Sequence, residues 1–258
     1  MAKSRYTVPA LEKGIAIIEM LANSEKPLGI TDIYTLSGVP KSSIFMILTT
    51  LESLQYVEKI DGDKYRPTMR IYNLGMIILS KLGIREAAHP IMEEIAKELR
   101  FTVHLAMLEQ GKAVYIEKVK SPGFVQFSTE VGQSWLLYNS AVGKVLAAYM
   151  PEDQLDKVLM STEFTSFTPN TMTSKEQLKQ FLQSVREQGY AVEDEEGELG
   201  IRCIGVPIYN HTGNVVAALS ITALRNDLPV HKFGEIGMLI RDKANRISER
   251  LGYRRAAE

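Results

Sequence analysis

The stretch from Gly29 to Pro67 constrains this chain most, because it predicts two short helices, a tight turn and a hairpin in direct succession. Gly38 permits the positive φ that a turn between two helices needs, and Pro40 favours a new helix start. The first helix is expected from about Thr31 to Leu36, with the Thr31 side chain as its N-terminal cap. The second is expected from about Lys41 to Leu54, so the pattern predicts a helix-turn-helix.

A short hairpin is expected after the second helix, because two strand-like runs flank an Asp-Gly turn signal. The strands are predicted at Val57 to Ile60 and at Lys64 to Arg66, around Asp61 and Gly62. A helix-turn-helix followed by a hairpin is the arrangement of a winged-helix domain, whose second helix enters the major groove of DNA. Lys64 and Arg66 on the wing are then expected to contact phosphate.

The second helix has two chemically different faces. Ile44, Leu48 and Leu51 recur at helical spacing and predict its buried face. The opposite face is small, uncharged and rich in hydroxyl groups, whereas a solvated helix face usually carries Lys and Glu. We therefore expect base-edge contacts from Ser42, Ser43, Met46 and Thr50, and phosphate contacts from Lys41, Tyr65 and Arg66. The alternatives are that several of these side chains only face solvent, or that the helix pair mediates protein contacts.

Composition limits the possible functions. The chain has 258 residues, of which 45% are apolar, and this length fits one to two globular domains. Residues 1–70 hold nine basic and eight acidic side chains, so a DNA-binding module here needs placed contacts and two copies per site. The single cysteine, Cys203, excludes an internal disulfide and fits a cytoplasmic protein. No apolar run is long enough for a membrane span, and the N-terminus lacks the apolar core of a signal peptide.

Two further helices are expected beside this module. A stripe at helical spacing predicts a first helix from Leu11 to Ala22, and its members are Leu11, Ile15, Ile18 and Leu21. A second stripe predicts a helix from Met69 to Leu82, and its members are Ile71, Leu74 and Ile78. The position of this second helix favours a connection between two domains, and the alternative is another core helix.

After Phe101 the sequence predicts a mixed domain. Strands are expected at Thr102 to Glu109, Lys112 to Val119, Val125 to Glu130, Ile201 to Tyr209 and Val215 to Ala223. Helices are expected at His89 to Leu99, Leu137 to Tyr149, Pro151 to Met160, Ser174 to Gln188 and Lys232 to Leu251. These elements predict an α+β domain with an antiparallel sheet and helices on its faces. The expected division is a DNA-binding domain at residues 1–68, a linker helix at 69–84 and an effector-binding domain at 85–258.

Four blocks of sequence carry a family resemblance that covers residues 8–252. They are VPALEKGIAIIEML, VPKSSIFMILTTLESLQYVEK with KYRPTMRIYNLG, SAVGKVLAAYMP, and GYAVEDEEGELGIRCIGVPIYN with VVAALSIT. In combination and spacing they resemble the IclR family of bacterial transcriptional regulators. The resemblance implies a winged helix-turn-helix joined by a helix to a GAF-like effector domain. It also implies a dimer through the DNA-binding domains, often paired into a tetramer, and a small organic ligand that changes operator binding.

Two positions depart from the family pattern. The family often has Arg where this chain has Met46, and methionine cannot make a bidentate hydrogen bond to guanine. The operator is therefore expected to differ from that of a typical member. The family also often has Asp where this chain has Glu193, which keeps the charge but extends one methylene further into a pocket.

An effector pocket is expected in the C-terminal domain. Because a helix N-terminus attracts anions, the backbone at Ala141 and Val142 is expected to meet a carboxylate. The resemblance implies that the remaining walls are Phe124, Phe127, Glu193, Ile201, Cys203, Ser220 and Thr222. Ser220 and Thr222 lie two apart on one strand and so face the same way, although a structural role is the alternative interpretation of each wall residue. If the two phenylalanines line the pocket, they favour an aromatic or larger ligand over a two- or three-carbon acid.

The acidic run from Glu193 to Glu198 is expected to send only its first residue into this pocket, with the others in solvent. A catalytic role is the main rival function, because Cys203 and His104 have the chemistry of a nucleophile and a base. No nucleophile motif surrounds either residue, and the four histidines lack the spacing of zinc ligands.

The sequence therefore predicts a ligand-responsive, DNA-binding transcriptional regulator rather than an enzyme. It is expected to repress a catabolic operon from an inverted-repeat operator in double-stranded DNA, as a homodimer or homotetramer. The effector is expected to be a small organic acid or an aromatic metabolite, and neither a cofactor nor a metal is expected. The alternative is a winged-helix scaffold that binds protein rather than DNA.

Overall fold

The chain divides into two compact units, Met1–Lys81 and Leu82–Glu258. The computed structural model describes residues 7–80 and 83–254, and every structural statement below concerns these residues. No helix within them combines the length and the apolar character needed to cross a bilayer.

The N-terminal unit is a winged helix-turn-helix, as the sequence predicts. Its elements are α1 (Pro9–Asn23), β1 (Leu28–Gly29), α2 (Ile30–Ser37), α3 (Lys41–Ser53), β2 (Val57–Ile60) and β3 (Lys64–Pro67). The three strands form an antiparallel sheet in the order β1-β3-β2. Gly38 ends α2 in the left-handed region at a φ of 68°, and its N–H donates to the Tyr34 carbonyl at 2.9 Å. The glycine therefore makes the turn that brings α3 across α2.

Two local predictions for this unit are wrong. Thr31 does not cap α2, because the helix begins one residue earlier and Asp32 accepts a hydrogen bond from the Gly29 N–H at 2.8 Å. A carboxylate at the third helical position reaches back to the N-cap, as in a capping box. Leu11 and Ile15 of the predicted stripe are 61% and 50% exposed, whereas Leu21 is buried and Ile18 is half-buried. The core therefore contacts only the C-terminal half of the stripe, together with Ile17, which the stripe does not include.

The linker region contains helix α4 (Met69–Ser80). In the predicted stripe Ile71 is half-buried and Leu74 is 43% exposed. The side chain of Ile78 and the last two residues of the predicted helix, 81 and 82, lie outside the described residues. Nothing in this helix therefore confirms the predicted stripe.

The C-terminal unit is built on a six-stranded antiparallel sheet in the order β6-β5-β4-β9-β8-β7. The strands are β4 (Thr102–Glu109), β5 (Lys112–Val119), β6 (Ser134–Trp135), β7 (Ala191–Asp194), β8 (Ile201–Tyr209) and β9 (Val215–Leu224). The helices are α5 (Ile84–Leu99), α6 (Ala141–Ala148), α7 (Glu152–Met160), α8 (Lys175–Gln188) and α9 (Phe233–Arg250). Helix α6 packs on β8 and β9 with α8 behind it, and α5 pairs with α9. The α+β architecture is confirmed.

Several element boundaries differ from the predicted ones. Helix α5 starts after Gly83 and carries Pro90 in its interior, although proline lacks the N–H of an ordinary helical residue. The helix continues because one apolar face, which includes Ile91 and Ile95, is buried on both sides of this point. Helix α6 begins at Ala141 rather than at residue 137, because the Ser140 hydroxyl caps it by accepting from the Gly143 N–H at 3.1 Å.

The predicted strand from Val125 to Glu130 is wrong. This segment crosses the domain without a strand partner, and the Lys118 ammonium binds the carbonyls of Phe127 and Thr129 instead. The short strand β6 supplies the outer partner of β5. Because a lysine side chain satisfies these carbonyls, they do not need a neighbouring strand.

Gly205 on β8 sets how closely α6 can approach the sheet. A Cβ built at this position would lie 2.8 Å from the Ala141 carbonyl oxygen and 3.2 Å from the Ala141 Cβ. These distances are shorter than van der Waals contact, and the first obstacle is backbone. A side chain here must therefore push back the N-terminus of α6.

We expect Gly205→Ala to lower the free energy of unfolding by about 1–3 kcal/mol, because the added methyl overpacks this contact. Urea denaturation of the full chain measures the change. Gly234→Ala is the matched control, since its added Cβ would lie 3.8 Å from the nearest atom, the Tyr190 hydroxyl. Equal stability of the two variants would contradict the explanation.

Candidate functional site

The exposed face of α3 is the candidate nucleic-acid interface. Ile44 and Leu48 are fully buried, while Phe45 and Met46 are 56% and 62% exposed. The other exposed side chains before the end of the helix are Lys41, Ser42, Thr49 and Thr50, and Ser43 is half-buried. Sequence reasoning missed Phe45 and Thr49, which a helical projection opposite Ile44 and Leu48 could have found. The face is apolar and hydroxylated, without a carboxylate before Glu52.

The polar groups on this face differ in how much hydrogen-bonding capacity they have left for DNA. The Thr50 hydroxyl donates to the Met46 carbonyl at 2.9 Å, so the side chain keeps only acceptor capacity. The Lys41 ammonium donates to the Thr31 hydroxyl at 3.1 Å and lies 5.6 Å from the centre of the Tyr34 ring. These contacts hold Lys41 at the N-terminus of α3, where its charge is exposed beside the hydroxyl groups.

The wing differs from its prediction at one residue. Tyr65 is only 4% exposed and belongs to the core of the unit, because alternate residues of β3 face opposite sides. Tyr65 is therefore not placed for the phosphate contact expected of it. Arg66 is exposed and pairs with Glu58 at 2.6 Å. Exposed ion pairs contribute little to stability, so Arg66 can exchange Glu58 for a phosphate at low cost.

The C-terminal unit contains a cavity of about 520 Å³ at the N-terminus of α6. Eight of the nine predicted pocket residues line it, namely Phe127, Ala141, Val142, Glu193, Ile201, Cys203, Ser220 and Thr222. Phe124 does not, because its side chain is fully exposed and lies at a separate cavity of about 670 Å³. Phe124 and Phe127 both line this second cavity, and of the two only Phe127 also lines the cavity at α6.

The end of the cavity at α6 suits a carboxylate. Ser140 uses its hydroxyl to cap Gly143, which leaves the N–H groups of Ala141 and Val142 as the first of the helix. Neither a lysine nor an arginine is among the described residues that line the cavity. An anion here would therefore be held by backbone dipoles and hydroxyl groups rather than by an ion pair.

Glu193 is the buried acidic group of the cavity. Its side chain is almost fully buried, and Oε1 accepts hydrogen bonds from the N–H groups of Glu196 at 2.6 Å and Gly197 at 3.0 Å. Burial raises the pKa of Glu193 above its ordinary value, and these two backbone bonds oppose the rise. A raised pKa lets Glu193 take up a proton when an anionic ligand approaches.

The rest of the acidic run is not in solvent as predicted. Glu195 and Glu196 are 7% and 6% exposed, and the exposed Glu198 also lines the cavity, so Glu193 is not the only residue of the run that reaches it. Glu196 pairs with the ammonium of Lys144, a fully buried residue of α6. Burial lowers the pKa of Lys144 and raises that of Glu196, while the attraction between the two charges opposes both changes. Arginines that follow in the chain balance the charge of Glu195.

Cys203 and His104 lie closer together than the sequence indicates. The Cys203 thiol contacts the Thr222 hydroxyl at 3.3 Å, and the same hydroxyl lies 3.4 Å from His104 Nδ1. Burial raises the pKa of the thiol and lowers the pKa of His104 to about 3. The thiol is thus protonated and the imidazole neutral, which is the opposite of an activated nucleophile. Nor do the described residues contain a group of three potential metal ligands.

Sequence reasoning missed part of the cavity wall. The chief omissions are Tyr115, Trp135 and Asn139, together with the segment that carries Gln126, Ser128 and Thr129. The Thr129 hydroxyl and His104 Nε2 form a hydrogen bond of 2.7 Å, in which either atom can be the donor. His104 also stacks on Tyr115, with ring centres 4.3 Å apart. The Asn-Ser pair directly before the small residues of α6 could have indicated Asn139 as a cavity residue. No local sequence pattern indicates Tyr115 or Trp135.

The buried imidazole predicts how stability changes with pH. The His104 pKa is about 3 in the folded chain and about 6.5 when unfolded, so acid below pH 6.5 protonates mainly the unfolded state. We expect His104 to cost about 2 kcal/mol of stability between pH 7 and pH 5. Urea unfolding of His104→Gln at both pH values should lack this loss, whereas the exposed-site control His211→Gln should retain it. An identical pH dependence in His104→Gln and the wild type would contradict the assignment.

Two family models match the chain. Residues 10–61 match the IclR helix-turn-helix domain, and residues 76–249 match the C-terminal domain of the bacterial transcriptional regulator IclR.

Individual relatives extend the likeness along nearly the whole chain. It is 32% identical over 247 residues to the HTH-type transcriptional regulator XynR of Escherichia coli (strain K12), covering 95% of this chain and 98% of XynR. It is 30% identical over 246 residues to the HTH-type transcriptional repressor AllR of the same strain, covering 95% and 91%. The crystal structure of Thermotoga maritima IclR matches with a TM-score of 0.76 at 31% identity, over 95% of this chain and 99% of that one. The chain therefore belongs to the IclR family of bacterial transcriptional regulators.

Proposed function

We propose that this chain is a repressor whose affinity for an inverted-repeat operator changes when an organic acid binds the cavity at α6. The exposed face of α3, which has no carboxylate before Glu52, is the observation that carries the DNA-binding part. A recognition helix must approach base edges closely, and repelling carboxylates would prevent that approach. The repressor AllR, at 30% identity, supports the direction of regulation.

The cavity supports the ligand-binding part of the proposal. Its volume of about 520 Å³ lies within the range of small-molecule sites and exceeds what a two- or three-carbon acid fills. The free N–H groups of Ala141 and Val142 can donate hydrogen bonds to the carboxylate of the ligand. Phe127 and Trp135 provide apolar surface for the rest of the ligand. The proposed ligand residues are therefore the eight that line the cavity. No catalytic step is proposed for Cys203, because burial keeps the thiol protonated and the lowered pKa makes His104 a weak base.

Ligand binding can change operator affinity only if the ligand makes different contacts in two arrangements of the chain. We propose residues 1–68 as the DNA-binding domain, 69–84 as the linker and 85–258 as the effector-binding domain. Helix α4 is the transmitting element. The nearly neutral N-terminal unit supports two copies per operator, hence a homodimer or a pair of dimers acting on chromosomal DNA in the cytoplasm.

The first experiment is footprinting of the purified chain on DNA upstream of its own gene, at about 150 mM salt with excess non-specific competitor. A protected site with two-fold symmetry is the expected result. If that region shows no site, selection from fragmented genomic DNA extends the search. Failure to select any sequence, with and without a panel of organic acids, would contradict the repressor proposal and favour the protein-binding scaffold.

Two variants separate base readout from phosphate contact. We expect Met46→Ala to change the preferred operator bases and to leave the slope of log affinity against log salt unchanged. We expect Lys41→Met to weaken binding to all sequences and to reduce that slope by about 1. Lys26→Met is the control for Lys41, because Lys26 is also exposed but lies outside α3. Equal slopes for Lys41→Met and Lys26→Met would contradict the phosphate contact.

The transmitting role of α4 is tested by one inserted residue after Leu74. An insertion rotates everything beyond it by about 100° relative to the preceding turns. We expect ligand affinity, measured by calorimetry, to be unchanged while the ligand no longer alters operator affinity. Asn73→Ala is the control, because it keeps the helical phase. Normal regulation by the insertion variant would refute the role.

A further inference from the structure

The outward face of α3 has two apolar side chains near its centre. Ser42 and Thr49 are seven residues apart, about two helical turns, so they define one line along the helix. Phe45 and Met46 lie on either side of this line, three and four residues after Ser42. They are 56% and 62% exposed. The side of α3 opposite the core therefore presents an aromatic ring and a thioether chain between hydroxyl groups.

The position of these two side chains in the fold gives their exposure a meaning. Isolated exposed apolar side chains are common on protein surfaces and need no explanation. Phe45 and Met46, however, lie within the first two turns of the second helix of a helix-turn-helix. The N-terminal part of that helix is the part that comes closest to base edges in the major groove. Apolar surface is thus placed where the sequence of the DNA is read.

Helix α3 lacks most of the groups that read bases through hydrogen bonds. Arginine and lysine recognise guanine, asparagine and glutamine recognise adenine, and carboxylates accept from cytosine. From Lys41 to Ser53 the helix contains no arginine, asparagine or glutamine, and its one carboxylate, Glu52, lies in the last turn. The Lys41 ammonium already donates to the Thr31 hydroxyl at 3.1 Å. Guanine, adenine and cytosine therefore lack their most discriminating partners on this helix.

The hydroxyl groups of α3 add little discrimination. A serine or threonine hydroxyl is both donor and acceptor, so it can pair with more than one kind of base. Two of these groups also bind the helix backbone. The Thr50 hydroxyl donates to the Met46 carbonyl at 2.9 Å, and the Ser53 hydroxyl donates to the Thr50 carbonyl at 2.8 Å. Hydrogen bonds from this face are therefore insufficient to specify a base pair.

We propose that Phe45 and Met46 read thymine by contacting its 5-methyl group, so that each operator half-site presents thymines to this part of α3. The methyl group is the apolar feature by which a thymine is distinguished in the major groove. Contact with it removes apolar surface of both the base and the protein from water. Phe45 and Met46 are thus specificity-determining residues, an inference that rests on the proposed binding of operator DNA by α3.

The test removes single methyl groups from the DNA. The full chain selects binding sites from a random-sequence duplex library at about 150 mM salt. In the best selected duplex, each thymine of a half-site is replaced in turn by deoxyuridine, which lacks only the 5-methyl group. We expect thymines at which this loss weakens binding about fourfold, the effect of exposing one methyl group. Deoxyuridine between the half-sites is the control, because it reports how the methyl group changes the DNA itself.

Cytosine and 5-methylcytosine provide a complementary comparison. At each sensitive position the T·A pair is replaced by a C·G pair, and then by a pair of 5-methylcytosine with guanine. The modified base carries a methyl group at the same place on the groove edge as thymine. We expect 5-methylcytosine to bind about fourfold more tightly than cytosine at these positions. Because both duplexes present the same hydrogen-bonding groups, the methyl group alone accounts for the difference.

Two variants assign the methyl contacts to the named side chains. Phe45→Ala and Met46→Ala each remove one exposed side chain and leave the core residues of α3 unchanged. We expect each to reduce the ratio of thymine to deoxyuridine affinity to about 1 at a sensitive position of its own. Leu54→Ala is the control, because Leu54 is 51% exposed but directly follows the C-terminal end of α3. It should retain every ratio, and circular dichroism shows whether each variant is folded.

The outcomes separate this inference from the proposed function. Selected half-sites without thymine, or equal binding of thymine and deoxyuridine at every half-site position, would overturn the inference and leave a sequence-specific regulator in place. Unchanged ratios in folded Phe45→Ala and Met46→Ala would also overturn it, because other side chains would then contact the methyl groups. Failure of the wild-type chain to select any sequence would overturn both the inference and the proposed operator binding.

Discussion

The buried ion pair between Lys144 and Glu196 is the contact on which the effector cavity depends. Lys144 is fully buried in α6, donates to the Val192 carbonyl at 3.0 Å and lies 4.5 Å from the centre of the Phe181 ring. Its partner belongs to the loop after β7. Loss of one member of such a pair leaves an uncompensated charge, which costs about 3–5 kcal/mol. The pair thereby fixes the register of helix, strand and loop around the cavity.

The position of α6 then decides what the cavity offers to a ligand. Gly205 allows the N-terminus of α6 to lie close to β8, and the Ser140 hydroxyl caps the helix so that it begins at Ala141. Glu193, held by the loop that Lys144 anchors, faces the same space. The result is a cavity in which the proposed anionic ligand would meet backbone N–H groups, while a carboxylate of raised pKa forms part of the wall. Such a site needs no basic side chain.

The DNA-reading unit follows a simpler principle. Its core consists of apolar side chains contributed by all three helices and by the wing, with Tyr65 inside it. The core fixes the angle at which α3 is presented, and the turn at Gly38 fixes its distance from α2. Basic and acidic side chains are nearly equal in number in this unit, so its surface carries little general affinity for DNA. Placed contacts and repeated copies must supply what net charge does not.

The sequence by itself determined the order of elements, the helix-turn-helix, the wing and the main antiparallel strands, because turns, caps and periodicity are local. It also indicated most of the cavity wall through family resemblance. Only the tertiary structure decided that Phe124 lies outside the cavity at α6 and that Lys144 neutralises Glu196. It also brought Trp135 and Asn139 to one cavity. These outcomes depend on contacts between residues far apart in the chain, and local propensity carries no information about them.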